Sequence, residues 1–187
     1  IPKKEYSWSV ACYPGAKEPI PDDMPCHLGK EVVTTSFMDA NLYHDLISSR
    51  SVTGCLHIFN KTPIDWFSKL QSTVETATFG SKYVVAARTC TKQIIDLRNT
   101  LRYLGMPVKG ESFMFGDNKS VVNTASTPHA KLTKWHNMLS YHKTREAIAA
   151  RITHFHHVMG KLNLVDILSK HWNMPSMWDM LQPLLFW

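Results

Sequence analysis

Three aspartates carry the chemistry open to this sequence: Asp39, Asp117 and Asp166, each at the margin of an apolar run. Asp39 closes Val32-Val33-Thr34-Thr35-Ser36-Phe37-Met38, Asp117 follows Phe113-Met114-Phe115-Gly116, and Asp166 stands inside Val165-Asp166-Ile167-Leu168-Ser169-Lys170. Carboxylates gathered from separate elements hold hard divalent cations, and such cations activate water or stabilise a leaving oxygen. Each acid also has a plainer role. Asp117 fits a helix start, where Asp accepts hydrogen bonds from free backbone N–H groups. Asp166, following Asn163, fits the acidic N3 position of a capped helix, and Asp39 fits a turn. On the residues alone both readings of each acid stand.

The elements that must position them follow from periodicity. β-Branched and alternating runs predict strands over 32–39, 51–59, 64–69, 113–116 and 151–159, the first three forming an antiparallel meander through Asn60-Lys61-Thr62-Pro63. Phe79, Tyr83, Ala87, Cys90, Ile94, Leu97, Leu101 and Leu104 recur at spacings of three and four, which predicts a long amphipathic helix lying on the sheet. Gly105-Met106-Pro107 stops it. Helices are expected over 118–125 and 131–150, then one containing Asp166, and a terminal one over 177–185 that Pro183 disturbs.

Residues 1–30 hold five of the ten prolines and no sustained period, so they read as an extension or linker that wraps the domain, with Trp8 and Tyr13 as anchors. Residues 31–187 read as one α/β domain with a C-terminal helical extension. The 187 residues, 44% hydrophobic and 19% charged, suffice for a single large core. No apolar run approaches the length that spans a bilayer, and Ile1-Pro2-Lys3-Lys4 is no signal peptide. The start at Ile1 suggests a processed product or an excised piece.

Net charge is +6, and between Lys119 and Arg151 six basic residues, Lys119, Lys131, Lys134, Lys143, Arg145 and Arg151, face the single acid Glu146. Trp135, Tyr141 and several histidines are interleaved with them, a pattern that fits nucleic acid and equally a solvated helix face. Cys55 and Cys90 fall at apolar positions and no CxxC pair occurs, so an intracellular, reducing setting is expected, with a Cys12–Cys26 pairing left open. His154 and His156 share one face of a strand and His157 takes the other, which makes no tetrahedral zinc set.

Several stretches, taken in order, resemble the ribonuclease H domain of copia-type retrotransposon polyproteins. They are Asp39-Ala40-Asn41, Arg50-Ser51-Val52-Thr53-Gly54, Thr62-Pro63-Ile64-Asp65-Trp66-Phe67-Ser68-Lys69, Gly116-Asp117-Asn118-Lys119-Ser120, His136 with Tyr141-His142 and Arg145-Glu146, and Val165-Asp166-Ile167-Leu168-Ser169-Lys170. The resemblance implies a ribonuclease H-like fold: a five-stranded mixed sheet, three antiparallel strands then two parallel ones, with helices on both faces. It implies hydrolysis of the RNA of RNA–DNA hybrids by two Mg²⁺ or Mn²⁺ ions on an Asp-Glu-Asp-Asp set. Asp39, Asp117 and Asp166 match three members, and an adjacent reverse transcriptase domain is the implied partner. Lys119, Lys134, His136, His142 and Arg145 are the implied nucleic-acid contacts, and His157 lies near a histidine that assists product release.

The fourth member breaks the pattern, because the expected Glu falls on Lys82 in Lys82-Tyr83-Val84-Val85-Ala86. An ammonium supplies no metal-binding oxygen, and the helix dipole disfavours a cation near a helix start. Glu75, seven residues earlier, is the substitute the sequence offers. Cleavage is therefore expected to be weak or lost, with no metal bound if the set stays incomplete. The alternative is an inactive fold serving as a nucleic-acid-binding or protein-interaction module. An integrase-type nuclease would need a Glu about 35 residues after Asp117, where Arg151 and Ile152 stand.

Overall fold

The computed structural model describes residues 12–131 and 138–185, with the side chains of 84–86, 174 and 183 set aside. Five strands form one sheet in the order β3-β2-β1-β4-β5: β1 Thr34–Asn41, β2 Val52–Phe59, β3 Thr62–Leu70, β4 Ser112–Gly116 and β5 Thr153–His157. β1 pairs antiparallel with β2 and β2 with β3, whereas β1–β4 and β4–β5 are parallel. The parallel pairs need crossovers, and helices supply them.

β1 is central, and alternation along it divides the domain. Met38 and Ala40 enter the larger core with Cys55, Tyr83, Ile94, Met114 and Phe155. Phe37 turns to the other face, where Leu56, Ile58 and Val165 are buried. The strand does not stop at Asp39. It runs on to Asn41, so Asp39 pairs with Gly54 inside the sheet and is no turn residue.

The long helix forms where its periodicity places it, in three parts: a first turn Thr78–Gly80, a π-helical stretch Ser81–Ala87, and α1 over Arg88–Tyr103. Its buried stripe includes Tyr83, Ala87, Cys90, Ile94 and Leu101, while Leu104 is 65% exposed. Gly105, at φ 70, turns the chain away at that point. Arg98 and Arg102 are buried instead, because Glu18 of the N-terminal extension receives both guanidiniums. Further helices are α2 (Lys119–Ser126), α3 (Met138–Ala149), the short α4 (Asp166–Ser169) and α5 (Met174–Leu185), which continues through Pro183. Leu164, Leu168 and Leu184 pack on the second face of the sheet. All four cysteines are free, Cys12 and Cys26 exposed, Cys55 and Cys90 buried.

Candidate active site

The three aspartates meet at one end of the central strands. One carboxylate oxygen from each of Asp39, Asp117 and Asp166 lies within 4.8 Å of the others. Asp39 comes from within β1, Asp117 follows β4, which is parallel to β1, and Asp166 opens α4. Gly54 permits the approach of α4: a Cβ there would lie 3.1 Å from Val165 Cγ2 and 3.3 Å from Leu168 Cβ.

The capping roles weighed for two of these acids fall elsewhere. Asn118, not Asp117, caps α2 by accepting from the Val121 N–H at 3.1 Å. Asn163 does not cap α4; its Nδ2 donates to Met38 O at 3.2 Å. Asp117 and Asp166 are thereby left to the cluster.

Lys82 enters it from the π-helical stretch. Its Nζ lies 2.7 Å from Asp39 Oδ1 and 2.5 Å from Asp117 Oδ1, and the residue is only 7% exposed. The contact with Asp39 Oδ1 is ionic rather than a directed hydrogen bond, since that buried oxygen has no well-aligned donor. Asp39 Oδ2 accepts from Ser169 Oγ at 2.6 Å. Asp39 itself is fully buried. Burial pushes its carboxyl up, but the Lys82 charge, the contacts with Lys82 and Ser169 and the charge of Lys170 more than reverse this, so its pKa is lowered.

Lys170, one helical turn after Asp166, donates to Asp166 Oδ2 at 2.6 Å and lies 3.5 Å from Asp39 Oδ2. Burial works against its charge, yet the hydrogen bond to Asp166 and the charges of Asp39, Asp166 and Asp117 raise its pKa. The pKa of Asp166 is raised too, which for an acid disfavours the charged form. Burial, together with the Asp39 and Asp117 charges, outweighs Lys170 and pushes its carboxyl up to about 6. Its Oδ1 is buried without a hydrogen bond, and Trp172 Nε1 donates to its backbone carbonyl at 2.9 Å.

The remaining expected site residues divide. Glu75 is buried, with its carboxylate against Gly80 at the helix start, and it is not among the acids that converge. His157 stands at the rim, its Nε2 3.1 Å from Asp117 O. Lys119 is exposed at the start of α2. His142 is exposed on α3, its Nδ1 2.9 Å from Tyr13 Oη. Arg145 is 3% exposed: it donates to the carbonyls of Thr124 and Thr127 at 2.7 Å each and of Pro128 at 2.5 Å, which ties the α2–α3 loop to α3 and leaves it buried rather than facing a phosphate. Lys134 and His136 lie outside the described residues. His154 and His156 stack on one face with centroids 4.2 Å apart, and the three aspartates are the one metal-competent group among the described residues.

Sequence reasoning missed Lys170 and Ser169 as members of the cluster, although the i,i+4 spacing of Asp166 and Lys170 is a visible ion-pair signal. It also missed the π-helical turn that carries Lys82 inward, for which no residue pattern was available.

Two divalent ions about 4 Å apart require oxygen ligands on both. The buried Oδ1 atoms of Asp39 and Asp166 suit a cation, but the cation beside Asp39 Oδ1 is the Lys82 ammonium. A divalent ion about 4 Å from that ammonium would meet a repulsion of about 8 kcal/mol at an effective dielectric near 20. With Lys82 where the fourth carboxylate is expected, the residues present do not fit a pair of divalent ions.

No protein-family model matches the chain. It is 28% identical over 148 residues to the retrovirus-related Pol polyprotein from transposon TNT 1-94 of Nicotiana tabacum, a match covering 79% of this chain and 11% of that polyprotein. The chain thus spans about a ninth of the length of this relative. Among solved structures it is similar to LC11-RNase H1 in complex with RNA/DNA hybrid, with a TM-score of 0.57 and 14% identity over 73% of this chain and 93% of that one. It is also similar to a foamy viral protease-reverse transcriptase in complex with RNA/DNA hybrid, with a TM-score of 0.50 and 14% identity over 81% of this chain and 21% of that one.

Proposed function

From a ribonuclease H-like fold of retrotransposon polyprotein type, we propose that this chain is a domain that engages RNA–DNA hybrids next to a reverse transcriptase, with hydrolysis of the RNA strand weak or lost. The observation that carries this reading is the Lys82 ammonium between Asp39 and Asp117, at 2.7 and 2.5 Å. It puts one positive charge between two carboxylates at the place where a metal would be held, and it cannot stand in for the oxygen ligand a nuclease of this fold requires. No step of hydrolysis is therefore assigned to these residues.

Binding rests on other groups. Exposed Lys119 begins α2 immediately beyond Asp117, where the free N–H groups of the helix start and a cation both attract phosphate. Lys131, Lys143 and His142 are also exposed. Both solved relatives named above carry RNA/DNA hybrid, which supports the choice of ligand, and the polyprotein relative supports a neighbouring polymerase.

The test is cleavage of a labelled RNA–DNA hybrid in Mg²⁺ and in Mn²⁺ by the natural chain, Lys82→Glu and Asp117→Asn. The expected result is little or no cleavage by the natural chain and a gain with Lys82→Glu. Robust cleavage by the natural chain, abolished by Asp117→Asn, would overturn the proposal. Hybrid affinity should fall steeply with salt if phosphates are contacted, and no binding at low salt would remove the hybrid as ligand.

A further inference from the structure

Asp39 presents each of its two carboxylate oxygens to a different ammonium. Oδ1 lies 2.7 Å from Lys82 Nζ, which also reaches Asp117 Oδ1 at 2.5 Å. Oδ2 lies 3.5 Å from Lys170 Nζ, which is 2.6 Å from Asp166 Oδ2. Two cations thus bridge three carboxylates, and Asp39 is the shared one.

We propose that Lys82 and Lys170 together are a built-in substitute for a divalent pair, so that the domain folds and engages RNA–DNA hybrid without a divalent cation. The hybrid arm rests on the function proposed above; the metal arm does not. Three carboxylates against two ammoniums leave one negative charge, so a polyanion approaches a nearly balanced site. A cluster of three bare carboxylates would instead repel phosphate until metal arrived. The two lysines differ in access. Lys82 has a side chain 9% exposed and serves Asp39 and Asp117, whereas the Lys170 side chain is 32% exposed. A lysine ammonium has three donors and no acceptor. Lys170 can therefore keep its Asp166 contact and offer a second N–H to a phosphate oxygen. Magnesium, by contrast, must shed tightly held water to bind. The π-helical stretch that carries Lys82 and the position of Lys170 directly after α4, paired with Asp166 at its start, hold both ammoniums in advance of any ligand.

The experiment uses the full chain in EDTA and in millimolar Mg²⁺, with Mn²⁺ as a spectroscopic probe of metal binding, thermal unfolding as the readout of the cluster, and fluorescence anisotropy of a labelled hybrid as the readout of binding. The expected result for the natural chain is the same unfolding temperature and the same hybrid affinity, within about twofold, in both buffers, with no Mn²⁺ held at millimolar concentration. Lys82→Glu should be less stable in EDTA, recover by several degrees in Mg²⁺ and acquire a bound Mn²⁺. Should Lys82→Glu not fold, Lys82→Gln replaces it, with the same gain of divalent stabilisation expected. A natural chain that binds Mn²⁺ and loses that binding with Asp117→Asn overturns the inference. So does a hybrid affinity that rises tenfold or more on adding Mg²⁺. If hybrid binds in neither buffer, the function proposed above falls, while the Mn²⁺ and unfolding measurements still decide whether the lysines replace the metals.

Discussion

Glu18 and Arg98 are joined across 80 positions of sequence by two parallel hydrogen bonds, Nε to Oε1 at 2.6 Å and Nη2 to Oε2 at 2.8 Å. Arg102 adds a donor to the same carboxylate at 2.8 Å. One acid of the N-terminal extension thereby satisfies two buried guanidiniums on the outer side of α1. Glu18→Gln should cost about 3–5 kcal/mol, since it leaves buried positive charge without its counter-ion. Urea unfolding measures this directly, and a loss below 1 kcal/mol would show that the extension is only loosely attached.

The same carboxylate sets a pH dependence. Burial raises its pKa, but the hydrogen bonds and charges of Arg98 and Arg102 more than offset that and hold it below the ordinary 4.5. A lowered folded pKa gives stability that is present above 4.5 and is lost as pH falls through the folded value. The stability difference between the natural chain and Glu18→Gln should therefore be constant from pH 7 down to pH 5 and shrink below about pH 4.5.

Asp166 has the opposite sign. Its carboxyl titrates near 6 in the folded chain against an ordinary 3.8, so between those values the folded state holds a proton that the unfolded state has released. Stability from this group falls as pH rises through that window. Asp166→Asn, which cannot ionise, should gain on the natural chain between pH 4 and 6. Carbon-13 NMR of the side-chain carboxyl gives the midpoint, and a value near 4 would refute the assignment.

Lys82→Met keeps an unbranched side chain one atom shorter and removes the charge. Asp39 is fully buried and would retain only Ser169 and the more distant Lys170. The expected cost is about 3–5 kcal/mol, partly recovered in a Lys82→Met, Asp39→Asn double variant. A double-mutant cycle with no coupling between the two positions would contradict the geometry.

Arg145 and Lys119 should separate structural from phosphate-contacting cations. Arg145→Met removes three carbonyl contacts, one at the end of α2 and two in the α2–α3 loop, and should cost about 2–4 kcal/mol of stability. Its effect on the salt dependence of hybrid binding should be nil. Lys119→Ala, on an exposed residue, should leave stability within about 0.5 kcal/mol and lower the slope of log K against log salt by about 1.

Much of this arrangement was legible in the residues. β-Branched and apolar runs, and alternation over 151–159, located the strands, and the three- and four-residue spacing from Phe79 located the long helix, because burial leaves these traces in a chain. The convergence of Asp39, Asp117 and Asp166 followed from matching motifs on separate elements. The irregular parts were not legible. Leu104 fits the apolar stripe yet points to solvent, since the Gly105 turn removes it from the sheet. Nothing in the local pattern marks Arg98 and Arg102 as buried, because the partner that receives them, Glu18, lies 80 and 84 positions away. Arg145 read as a phosphate contact because composition records charge and not the three carbonyls that surround it. The position of Lys82 was visible as an anomaly, but its bridging contacts depend on a π-helical turn that no local pattern announces.

The lysine between Asp39 and Asp117 also bears on how reversible this state is. Lysine and glutamate codons differ at their first base by one transition, A for G, so the closed cluster and the four-acid set are neighbours in the genetic code. A single point mutation at this codon therefore separates a cluster closed by an ammonium from one carrying four acids.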